Sequence, residues 1–273
     1  MKQNKYIIIT ALIAASISVV VFWFLRSTTP AQLFQTHSLS QSLHYGGMPD
    51  KPLHQVVIKA VYFVPKDRVV EIDTNVTQLL SGALQKSVDF YSLQLSKNIA
   101  FLVQVYPKPI IGKQSHLFYD SLDTSNGNPH ALLSIRQEIL EIFKAPGNVA
   151  NSEFFRVDKD SFTGLFILHQ GVGASATVLV PAGSAAGTDT IVLSGGDMPA
   201  ALVAYGFLTK PSYKDYGVTI FTHEFGHLLG LQDHYDTKTG KAFEDDIMGS
   251  GRIRPLEFNY LSRSAKKLLG VSE

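Results

Sequence analysis

The stretch from His223 to Asp233 reads HEFGHLLGLQD, and its residue types and spacing carry chemistry. Two histidines four positions apart on a helix lie one turn above each other, so both imidazoles reach a single metal ion. That is the zinc pair of an H-E-x-x-H sequence. Glu224, between them, cannot share that geometry as a ligand. It stands where it can take a proton from a water molecule at the metal, which is the position of a general base. Gly230 follows the last periodic turn, where a positive φ stops the helix and turns the chain sharply. Asp233 is then placed to swing back as third ligand of a catalytic zinc, which needs three protein ligands and one open position. His234 and Asp236 are the rival third ligands; His234 follows Asp233 directly and would point elsewhere, which ranks it second.

The helix wheel points the same way. At about 100° per residue, Val218, Phe221, Phe225, Leu228 and Leu229 fall on one side and His223 and His227 almost opposite. The helix has an apolar back and a ligand front. Ile220 and Leu231 land near the histidine side, so the front is also expected to be buried, under a cleft floor.

The pattern HExxHxxGxxD, followed by Met248 in DDIMGSG, resembles the metzincin clan of zinc endopeptidases. Its aspartate version is similar to the snapalysin-like and immune-inhibitor-A-like branches, and the tail RPLEFNYLSRSAKKLLG resembles the closing helix of the latter. The resemblance implies a methionine turn at Met248 beneath the metal and a two-lobed, metzincin-like zincin domain. A sheet and two helices would form the upper lobe, the zinc helix the cleft floor, and the chain after Gly230 the lower lobe. An extended substrate would add as a strand along an exposed sheet edge, expected at Ala176 to Val180. Two departures stand out. Gln232 occupies a position where those branches often carry proline, and no tyrosine follows Met248 at the spacing some metzincins use to assist the transition state, which leaves that role open.

The elements that must position these residues read as α+β, an α/β-like mixed sheet. Strands are expected at Gln55 to Val64, Ile99 to Tyr106, Phe162 to His169, Ala176 to Val180 and Thr190 to Leu193. Amphipathic helices are expected from Thr77 to Leu95, capped by Thr74 or Asn75, and from His130 to Lys144. Asp123, Asn126 and Asn128 around Gly127 invite comparison with a calcium loop, but no bidentate Glu follows, and a plain turn is the reading. The glycines of QGVGAS and PAGSAAG match no phosphate-binding fingerprint, and the absence of G-x-S-x-G removes a serine-hydrolase elbow.

With 273 residues, 45% of them hydrophobic, the chain has ample material for one sizeable core. A net charge of +1 gives no sign of a nucleic-acid partner, and without cysteine there are no disulfides, thiolate ligands or thiol nucleophiles. Ile7 to Leu25 is an almost unbroken apolar run close to the ~20 residues that span a bilayer. It ends in bulky Phe22, Trp23 and Phe24 rather than a small-residue cleavage site, so residues 1–26 read as a transmembrane signal anchor, with a cleaved secretory signal as the alternative. Lys2 and Lys5 before it and Arg26 after it favour a cytoplasmic N-terminus and an extracytoplasmic domain. Residues 27–52, polar and without a period, read as a stalk or linker, leaving residues 53–273 as the peptidase domain.

The expected function is therefore a membrane-tethered zinc endopeptidase acting on peptide or protein substrates, with His223, His227 and Asp233 on Zn2+ and Glu224 as base. Within enzymes, the rival is a gluzincin-like site with Glu244 or Glu257 as third ligand. Outside them, the rival is a non-catalytic surface binding module whose structural zinc is closed by His234 as a fourth ligand.

Overall fold

The computed structural model describes residues 43–96, 99–120, 127–144, 153–156, 161–179, 191–193, 198–236 and 239–271. The expected anchor, residues 1–26, lies outside them, as do residues 27–42 of the stalk. Among the described residues no helix is long and apolar enough to cross a membrane.

In chain order the elements are strands β1 (His44–Tyr45), β2 (Met48–Pro52) and β3 (Gln55–Val64), helix α1 (Val76–Gln94), and strands β4 (Ala100–Val105) and β5 (Ile110–Ile111). Helices α2 (His116–Tyr119) and α3 (Pro129–Lys144) follow, then strands β6 (Phe162–His169), β7 (Ala174–Leu179), β8 (Ile191–Leu193) and β9 (Ala200–Ala204). Helices α4 (Gly206–Thr209), α5 (Gly217–Leu228) and α6 (Arg263–Leu268) complete the chain.

The strands order as β4-β3-β6-β9-β7-β8, with β5 also on β3. β3 is parallel to β4, β5 and β6, and β6 to β9, whereas β7 runs antiparallel to β9 and β8 parallel to β7. β3 explains the centre of this mixed sheet. Its run VVIKAVYFV is buried throughout, as a strand covered on both faces requires. Alternation splits its side chains: Val56, Ile58, Ala60, Tyr62 and Val64 enter the core shared with α1 and α5, while Val61 and Phe63 enter a second core under α3. The expected α+β class and mixed sheet are present.

Two sequence expectations need correction, and one strand was not expected at all. Residues 43–52 are not stalk. They form the β1–β2 hairpin, whose Leu43, Tyr45 and Met48 are buried in the main core and whose backbone is tied to the C-terminal segment by His44 N to Leu269 O (3.1 Å) and Gly47 N to Leu268 O (3.0 Å). The stretch expected to offer a free substrate edge begins earlier, at Ala174, and its residues 177–179 pair with β8; Val180 lies outside the described residues. The short run AALVA at residues 200–204, not anticipated as a strand, is the fully buried β9. Of the imagined calcium loop, Asp123 and Asn126 lie outside the described residues. Asn128 instead caps α3, its Oδ1 accepting from Ala131 N at 3.0 Å.

Candidate metal centre

Helix α5 is held by its apolar back. Phe221 stacks on Phe166 of β6 with ring centres 4.2 Å apart, and Phe225 stacks on Tyr91 of α1 at 5.5 Å. The α1 contact is close because residue 226 is glycine: a Cβ there would lie 2.3 Å from the Tyr91 hydroxyl and 2.8 Å from Met248 Sδ. Tyr91 donates to Thr222 O at 3.1 Å, and Ser87 and Thr222 share a hydroxyl hydrogen bond at 2.9 Å. A helix packed this tightly presents its opposite face with little freedom. On that face His223, Glu224 and His227 are only 2%, 6% and 7% exposed, as the flanking Ile220 and Leu231 suggested.

The end of α5 does chemistry as well as punctuation. Gly230 has φ 86°, with Gly230 N bonded to His227 O (2.9 Å) and Leu231 N to Gly226 O (3.2 Å), the paired bonds of a Schellman cap. This reversal brings the Leu231 carbonyl back over the helix, where it accepts from His227 Nδ1 at 2.7 Å. His223 Nδ1 donates in the same way to Ile247 O at 2.9 Å. A carbonyl oxygen can only accept, so both rings donate from Nδ1 and aim Nε2 inward, where it can ligate once it is deprotonated.

The two Nε2 atoms are 3.3 Å apart, and Asp233 Oδ1 lies 3.1 Å from that of His223 and 3.4 Å from that of His227. One ligand atom from each of the three residues thus falls within 4.8 Å of the others. Asp233 Oδ1 and Glu224 Oε2 are buried without hydrogen-bond partners. Two inward imidazole nitrogens and an orphaned carboxylate oxygen are a donor set that fits zinc. Burial pushes the Glu224 carboxyl up, against the pull of the two imidazoles. For His227, burial opposes the charged form but Asp233 outweighs it and raises the pKa to about 9. The imidazoles correspondingly hold Asp233 far below the ordinary carboxylate range, despite burial.

The rival ligands are placed elsewhere. His234 turns its Nδ1 to Asp246 Oδ1 (3.0 Å), and Glu244 lies on the same side, accepting from Ser264 Oγ at 2.5 Å. Asp236 accepts from Thr239 N in its own turn (2.8 Å), and Glu257 sits in a short 3-10 turn, exposed. His234, Glu244 and Asp246 do form a second group of potential donors. Both oxygens of the buried Asp246 are engaged, however, the second by Ser262 N at 3.1 Å. The group acts as a latch: it fixes residue 234, whose N–H donates to Met248 O at 2.8 Å, against the methionine turn. Met248 is fully buried behind the helix, its sulfur 4.0 Å from the Tyr91 hydroxyl.

Two further residues lie beside this centre: Tyr235, which the motif did not bring forward, and Arg252, which with Arg254 follows Met248 in the stretch where a wall of the substrate pocket is expected from the sequence. Tyr235 lies beside His223, ring centres 6.1 Å apart. Burial raises its phenol pKa, with Asp233 and Glu224 adding to the effect. Arg252 lies over the Tyr235 ring, its Cζ 3.7 Å from the ring centre. The place of Tyr235 two residues after Asp233 was a usable signal. The carbonyls of Leu231 and Ile247 had none, since every residue carries one.

Comparison with known proteins bears on this centre. Residues 165–253 match the model of a family described as immune inhibitor A peptidase M6, catalytic domain, one of the two branches the motif resembled. No curated protein matches the chain. A solved structure, metalloproteinase-II from Bacteroides fragilis, aligns with 78% of this chain at 16% identity and a TM-score of 0.40. The alignment covers 52% of that protein, so the chain spans about half its length.

Proposed function

We propose that the chain is a zinc-dependent endopeptidase in which His223, His227 and Asp233 hold the ion and Glu224 is the general base. The observation that carries this reading is the convergence of two inward Nε2 atoms on an unpartnered, buried Asp233 oxygen. The match of residues 165–253 to a metallopeptidase catalytic domain supports it. When bound, zinc supplies Lewis acidity to a water molecule and to the scissile carbonyl.

This chain's own residues do the rest. Glu224 keeps a buried oxygen free of other hydrogen bonds and, with its pKa raised by burial, accepts the proton of the attacking water and passes it to the leaving amine. Leu231 and Ile247 hold the imidazole planes through Nδ1. Tyr235, kept protonated by burial, packs beside the His223 ring and helps to fix its plane.

The apolar run at Ile7 to Leu25 and its flanking charges support a tether through residues 1–26 with the peptidase domain outside the cytoplasm. The non-catalytic alternative needs a fourth donor, and His234, its candidate, is bonded to Asp246 instead. Incubating the full chain with an unstructured protein, with and without a chelator, tests the reading: cleavage lost on chelation and restored by zinc is expected, and an intact substrate in every arm would refute it.

A further inference from the structure

Two arginines follow Met248, and the structure separates them. Arg254 is committed: its Nη1 pairs with Asp245 at 3.0 Å and its Nη2 donates to Asp245 O at 3.1 Å. Arg252 forms no ion pair among the described residues. One hydrogen bond, from Nη1 to Gly249 O at 2.8 Å, anchors it, and the Tyr235 ring lies under the guanidinium at 3.7 Å.

That placement bears on substrate. Tyr235 contacts both Arg252 and His223, so the guanidinium is linked to the candidate ligands through one aromatic ring. A half-buried guanidinium stacked on an aromatic face has its plane fixed, and its remaining N–H edge is matched to a carboxylate. Backbone hydrogen bonds hold the segment that carries it: Gly251 N to Asp246 O (2.8 Å) and Arg254 N to Gly251 O (2.9 Å).

We propose that Arg252 is a specificity-determining residue of this site: it receives a substrate carboxylate next to the scissile bond, so that acidic peptides are cut in preference to neutral ones. The inference rests on the peptidase reading above. The carboxylate has two possible sources, an acidic side chain flanking the bond or a free C-terminus just beyond it.

The test uses the full chain and a neutral peptide whose cut site has been mapped. One series places Glu or isosteric Gln on either side of the scissile bond in C-terminally amidated peptides; a second ends one residue past the bond as free acid or amide. The acidic member of at least one series is expected to have kcat/KM about tenfold higher, and the series that responds identifies the source. Arg252→Gln should bring that ratio close to one and Arg252→Glu should reverse it. Because only the ratio is read, a general loss of rate in a variant does not enter. Should both variants fail to fold, the wild-type ratio carries the test, and added salt should shrink it. Equal rates on acidic and neutral peptides overturn the proposal, as does a preference that survives Arg252→Gln. If no peptide of any charge is cut with zinc supplied, it is the peptidase reading that has failed.

Discussion

His227 Nδ1 lies 2.7 Å from the carbonyl oxygen of Leu231, and that oxygen is within reach only because the chain reverses at Gly230. Helix termination and imidazole orientation are therefore one event. The reversal is also where the N-terminal hairpin docks: Gly46 N donates to Leu229 O at 3.0 Å, and a Cβ on Gly230 would lie 2.4 Å from Gly46 N. Gly230→Ala meets both the strain of positive φ, about 1–2 kcal/mol, and that collision. It is expected to lower the thermal midpoint and weaken zinc binding together; a variant that loses stability but keeps wild-type zinc affinity would separate the cap from the site.

Glu224→Gln preserves shape and removes the base. Turnover should fall by at least about a hundredfold while zinc content stays at the wild-type level. Measuring both on one preparation matters, because loss of metal would explain loss of activity trivially, and normal hydrolysis would refute Glu224 as base.

The choice of third ligand is open to direct comparison. Asp233→Ala is expected to abolish stoichiometric zinc. Glu244→Ala removes a residue that meets Ser264 and the His234 side instead, and should leave zinc content unchanged. The opposite pattern would favour the gluzincin-like arrangement.

The metal-free protein should show a pH dependence with a definite sign. His227 is raised from 6.5 to about 9 by Asp233, against burial, so its contribution to stability is complete below the unfolded value and fades as pH rises through about 9. The thermal midpoint of metal-free protein should accordingly fall between pH 6.5 and 9. Zinc affinity should climb over the same window, since a proton competes for the Nε2 site. Both follow from calorimetry and zinc titration across that range, and an affinity that is flat with pH would contradict the pairing.

Much of this was readable in the residues and some was not, for physical reasons. His223, Glu224, His227 and Gly230 declare themselves because helical periodicity and a glycine's freedom are local properties. The central strand β3 does so because its apolar run is unbroken. Tyr235 and Arg252 face the site only because residues 234–254 fold back on the latch at Asp246, whose buried carboxylate joins His234 to Ser262, a contact between positions far apart in sequence. Strand β9 escaped because AALVA is short and rich in alanine, with little β-branched content to mark it. The hairpin at residues 44–52 looked like stalk or linker because the stretch around it is polar; what holds it is the burial of Tyr45 and Met48 and the fit of Gly46 against Gly230, which no periodicity reports.

The central claim is the identity of the metal and its three ligands, and anomalous diffraction at the zinc edge from crystals of the zinc-replete protein tests it most directly. The account predicts one strong peak about 2.0–2.2 Å from the Nε2 atoms of His223 and His227 and from a carboxylate oxygen of Asp233. A map with no peak there, or with zinc held among His234, Glu244 and Asp246 instead, would contradict it.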